Sequence, residues 1–91
     1  MSAFVVTYDL NAAGQNYEKV IQAIKDSSVS WCSYWKSSFL IKSNLSANAI
    51  VNNIKPYLDT NDALIVVKAT NEYQGWLTEE QWKFIREKIF N

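Results

Sequence analysis

The chain has 91 residues, 48% of them apolar and 14% aromatic, with 9 Lys and Arg against 9 Asp and Glu. This length fits one domain, 1–91, and the apolar share excludes a disordered chain. Balanced charge argues against dedicated duplex-DNA binding, the single Cys excludes an intramolecular disulfide, and the lack of His removes the usual general base and the commonest zinc ligand.

No apolar run is long enough to span a membrane and no signal peptide is read, so no membrane association and a cytoplasmic location are expected.

The first strand is predicted from Ala3 to Asp9, with Phe4, Val6 and Tyr8 on one face and Val5, Thr7 and Asp9 on the other. Asn11 to Asn16 read as a turn, Gly14 supplying backbone freedom and Asn16 an N-cap. Tyr17, Val20, Ile21 and Ile24 then make one apolar helical stripe, which Asp26-Ser27-Ser28 ends. Val29 to Lys36 and Ser38 to Lys42 read as a hairpin, with Lys36-Ser37 near its turn. Ser46 caps a second helix, whose stripe is Ala47, Ile50, Val51 and Ile54, and Pro56 stops or kinks it. Asp59 to Asp62 form a turn, and Ala63 to Ala69 form a last strand. Thr78 and Gln81 make a capping box for a third helix with Trp82, Ile85 and Ile89 on its apolar side.

The order strand, helix, strand, strand, helix, strand is the split βαβ arrangement. The predicted fold class is therefore α+β, a ferredoxin-like βαββαβ sandwich with an additional C-terminal helix. Two helices would cover one face of its sheet. The other face would carry Val5, Thr7, Leu64 and Val66 if Ala63, Ile65 and Val67 turn toward the helices. A partly apolar face needs cover, from the third helix or from a second copy of the chain.

Asp9 is the first candidate for chemistry, because a side chain at a strand end is fixed yet reaches open space. It reads as a metal ligand or as a turn residue. One carboxylate holds Mg²⁺ weakly, but two copies meeting at a two-fold axis would hold one ion between them and activate water for phosphodiester cleavage. Asn11, Gln15 and Asn16 would orient a ligand or simply serve the turn. Trp31, Tyr34, Trp35 and Phe39, with Lys36 and Lys42 nearby, suit stacking on unpaired bases or packing in a core and interface. Cys32 reads as a small buried side chain. Asp59 and Asp62 read as a solvated turn or a second acidic cluster, and Trp76-Leu77 as a hydrophobic staple ahead of Thr78.

The strand Val5-Val6-Thr7-Tyr8-Asp9-Leu10, the helix after it and the hairpin ending in Ser38-Phe39-Leu40 resemble the small CRISPR adaptation protein family (Cas-two) and its relatives. Short stand-alone SinR-like proteins are similar in the Trp-bearing hairpin, in Lys55-Pro56-Tyr57-Leu58-Asp59, in Asn61-Asp62 and in Gly75-Trp76-Leu77, and VapD-like toxin ribonucleases are similar in fold. The resemblance implies a homodimer and a Mg²⁺-dependent nuclease whose acidic residue is Asp9. The chain departs from that pattern in having Lys19 near the start of the first helix where Arg is common, Arg86 as its one Arg, and a helical C-terminus. No helix-turn-helix is read.

The expected function is a small Cas-two-like homodimer directed at nucleic acid, with Asp9 as catalytic and metal residue and Lys36 and Lys42 as nucleic-acid contacts. The alternative is a non-catalytic module that uses the same dimeric fold to bind a protein partner. The first requires Lys36, Lys42 and Lys68 to converge near Asp9; the second has them scattered.

Overall fold

A stretch of alternating apolar residues at the start of the chain becomes the central strand of the sheet. The computed structural model describes residues 1–11 and 16–91. Its elements are β1 (Ser2–Asp9), α1 (Tyr17–Asp26), β2 (Ser30–Cys32), β3 (Ser38–Ser43), α2 (Ala47–Ile54) with a 3₁₀ turn (Lys55–Tyr57), β4 (Ala63–Ala69), and α3 (Glu79–Phe84), which runs on as a π-helical turn (Ile85–Ile89). The expected turn over residues 12–15 lies outside the described residues.

The strands form one antiparallel sheet in the order β2-β3-β1-β4. This α+β arrangement is compatible with a small ferredoxin-like fold. β2 is much shorter than the run expected from Val29 to Lys36. Ser33 explains part of the difference: its hydroxyl donates to the Ser38 carbonyl at 2.8 Å, satisfying backbone there without a ladder.

Phe4, Val6 and Tyr8 of β1 pack with Phe39 and Ile41 of β3 against Val20 and Ile24 of α1 and Ile50 and Ile54 of α2. That is the main core, and it uses most of each stripe read from the sequence; Tyr17 of the first is instead exposed and Val51 of the second lies outside this cluster. Where α1 ends, buried Ser43 donates to the Ser27 carbonyl at 2.6 Å and accepts the Leu45 amide at 3.1 Å. The hydroxyl thus satisfies backbone groups that have left the helix and the sheet.

The second sheet face is covered in part. Ile85 and Ile89 pack with Ala3 and Cys32, joined by Leu40, Ala69, Tyr73 and Trp82. The third helix therefore shields the β2–β3 half of this face. The capping box that starts it is present: Thr78 Oγ1 accepts the Gln81 amide at 3.2 Å, and the Gln81 side chain accepts the Thr78 amide at 3.0 Å.

The expected facing of β4 is reversed. Val6 stands opposite Val66 and Thr7 opposite Ile65, and directly opposed residues share a face. Leu64 and Val66 therefore join the main core, while Ile65 and Val67 look out from the second face, 56% and 48% exposed.

Candidate functional site

Three places on this scaffold carry the candidate residues. Asp9 ends β1, exposed, with Ala63 opposite it. With Thr7, Tyr8, Ala63, Leu64 and Ile65 it lines a shallow concavity of about 240 Å³. Among the described residues its side chain makes no hydrogen bond, and no group of three or more His, Cys, Asp or Glu stands together to hold a metal. One carboxylate does not by itself meet the six-oxygen demand of Mg²⁺, so the described residues of a single chain supply no complete metal donor set.

Asp62 lies beside this strand end but is committed to backbone. One carboxylate oxygen accepts the Asn11 amide at 2.8 Å and the other the Asp59 amide at 2.9 Å. The Asn11 side chain, a candidate ligand-orienting group, donates to the Asn61 carbonyl at 2.6 Å. Asn16 takes the N-cap position of α1 at φ 54°, without a side-chain capping bond. The Asn11 side chain thus serves the backbone at the β1 exit, while the expected side-chain cap from Asn16 is not made.

The lysines do not converge within a chain. Lys36 lies next to Ser37, whose carbonyl accepts the Tyr8 amide, so it is at the Asp9 end of the sheet. Lys42 stands opposite Ala3 and Lys68 opposite Phe4. Ala3 and Asp9 are six residue steps apart on β1, about 20 Å along the sheet. Lys42 Nζ donates to the Asn91 side chain, and both lysines line a concavity with Asn71 at that far end.

The aromatic hairpin is split between faces. Trp31 packs edge-on against Phe39, with centroids 5.8 Å apart, and Lys25 Nζ lies 4.3 Å from its ring centre. Tyr34 joins the cluster on the opposite face, where Cys32 is buried. Burial pushes the Cys32 thiol pKa up, outweighing hydrogen bonds with Tyr34 and Leu40 that lower it. A protonated buried thiol is a poor nucleophile.

The third place escaped the sequence reading. Between the second sheet face, the segment 70–77 and α3 lies a cleft of about 420 Å³, with Trp35, Tyr73, Trp76 and Trp82 among its walls. Trp76 is 98% exposed, so it does not staple the helix; Leu77, the residue before the Thr78 cap, packs against the same buried cluster as Trp82 and holds the staple position. The available signal was Gly75 before Trp76: a Cβ on Gly75 would stand 3.3 Å from the Trp82 ring.

Comparison with family models, with curated proteins and with solved structures finds no match for this chain. Among the described residues no helix is long and apolar enough to cross a membrane.

Proposed function

We propose that the protein is an interaction module that self-associates through the β4 half of its second sheet face. The observation that carries this reading is the exposure of Ile65 and Val67 on β4, the edge strand that among the described residues pairs with β1 alone. Folding leaves two β-branched side chains in water beside a face that α3 covers elsewhere. Each gains on burial at about 25 cal/mol per Å² of apolar surface. A second copy packed sheet to sheet would cover both. In this reading the domain is a ferredoxin-like βαββαβ sandwich in a cytoplasmic setting, and the C-terminal helix is an addition that blocks half of the face and directs association to the remainder. The resemblance to the Cas-two family supports a sheet-mediated homodimer, and the scattered Lys36, Lys42 and Lys68 favour an interaction module over a nuclease.

Sedimentation equilibrium of the full chain tests it. The expected result is a dimer that the Ile65→Lys, Val67→Lys double variant converts to a folded monomer. A wild-type chain that stays monomeric at high micromolar concentration overturns it.

One observation favours a second reading, a Cas-two-like nuclease directed at nucleic acid. Asp9 shares its concavity with Ile65, so a copy closing over Ile65 would place Asp9 at the rim of the interface. The paired carboxylates would then be the protein ligands of one Mg²⁺, with water completing its shell. Cleavage of single-stranded or duplex RNA or DNA in Mg²⁺ or Mn²⁺, lost in Asp9→Asn, would support this reading. No cleavage, or equal cleavage by the variant, would remove it.

A further inference from the structure

The aromatic cleft on the second face has one wall held in place before any ligand arrives. Tyr73 stacks on Trp82 at 5.9 Å and 20°, and on Phe90 at 4.5 Å and 24°. Phe90 reaches this stack because the last turn is π-helical. Its amide bonds the Ile85 carbonyl at 3.0 Å, a five-residue closure that turns Phe90 toward the side of buried Ile85. Gly75 lets the segment cross close to the Trp82 ring. Trp35 and Trp76 complete the lining, 51% and 98% exposed.

A Trp left almost wholly in water at the mouth of a concave apolar site contributes little burial to the fold. The volume of about 420 Å³ is that of a small-molecule site, and such sites join aromatic walls to a few polar groups. The charge points to the ligand. Among the described residues lining the cleft Glu72 is the one charged side chain, an acidic group beside five aromatic rings. Aromatic π-faces and a carboxylate attract the same species, a cation. The chain already makes this contact elsewhere, with Lys25 over Trp31.

We propose that the cleft binds a small organic cation, an alkyl- or aryl-ammonium with an apolar body. The stacked wall takes the apolar body, the exposed rings of Trp76 and Trp35 take the positive head, and Glu72 balances the charge. Ile65 and Val67 do not line the cleft, but Val5, which stands opposite Val67, does, so the two surfaces adjoin and the Ile65→Lys, Val67→Lys variant, which keeps every lining residue, tells them apart.

Benzyltrimethylammonium is the probe, titrated into the full chain and followed by Trp fluorescence and calorimetry, with benzyl alcohol as its neutral comparator. Saturable binding of the cation, roughly tenfold or more tighter than the alcohol, is expected. Trp76→Ala and Glu72→Gln each should weaken it by about fivefold or more, with unchanged helix and strand content, since both residues are exposed and contribute little burial to the fold. Absence of saturable binding, equal affinity for the alcohol, or indifference to both variants overturns the proposal. So does a Trp76→Ala variant that dissociates a dimer while wild type ignores the cation, because a second copy would then occupy the cleft.

Discussion

The Asp62 carboxylate accepts the Asn11 amide at 2.8 Å across 51 positions of sequence. With its second oxygen on the Asp59 amide, it joins the exit of β1 to the turn that starts β4. This clasp holds together the ends of two neighbouring strands, and with them Asp9 and Ala63. Hydrogen bonds to a charged acceptor contribute about 1.5–3 kcal/mol each when protected, and less at an exposed site. Asp62→Ala should therefore lower stability by about 1–3 kcal/mol in urea unfolding. Asp62→Asn should recover part of the loss, because its amide oxygen keeps one of the two acceptors. A full-stability Asp62→Ala chain would show that the clasp is only a decoration of the turn.

Val66 and Val67 are chemically identical neighbours with opposite surroundings. Val66 packs on the core and Val67 is half exposed. Val66→Asp should cost more than about 3 kcal/mol, by placing a carboxylate against the core without a partner. Val67→Asp should stay near 1 kcal/mol or less in the monomer. Denaturation midpoints of the two variants decide this, and equal losses would reject the Val6–Val66 register.

The same pair shows how much the sequence could reveal. Leu64-Ile65-Val66-Val67 is apolar at every position, so a two-residue period does not choose a side; only the pairing with Val6 does. Helical stripes were readable because polar residues interrupt them, as at Glu18, Lys19 and Gln22 in α1. The Thr78–Gln81 capping box was readable because its bonds are local. Long-range features were not. The Asp62 clasp depends on two chain segments meeting, and the aromatic cleft depends on a π-turn that no periodicity announces. Asp9 was correctly placed at an exposed strand end, but strand position gives no information about a second carboxylate.

Ser37 adopts φ 58° in the β2–β3 connection, where an L side chain is strained. Its carbonyl accepts both the Tyr8 amide at 3.1 Å and the Thr7 hydroxyl at 3.2 Å, so this conformation anchors the turn to β1. Ser37→Gly removes the strain but adds freedom to the unfolded chain, and should change stability by no more than about 1 kcal/mol. Ser37→Val should cost about 1–2 kcal/mol or more, because a β-branched residue disfavours this region. Thermal melts of the two variants should separate in that order.

Tyr8 supplies the prediction about pH. It is buried in the main core, edge-on to Tyr17 at 6.1 Å. Burial, then a hydrogen bond with Tyr17, then repulsion from Tyr17 once ionised, push its phenol from about 10 up to about 12. The fold favours the neutral phenol, so between these values the unfolded chain releases a proton that the folded chain keeps. The resulting stability is complete below pH 10 and is lost as pH rises toward 12. The wild type must be compared with Tyr8→Phe, which has no phenol to ionise, so that the pH dependence common to both chains cancels. The stability difference between them should be constant up to about pH 9.5 and then shift against the wild type as pH rises. Parallel curves through pH 11 would mean that the core leaves Tyr8 free to ionise in place.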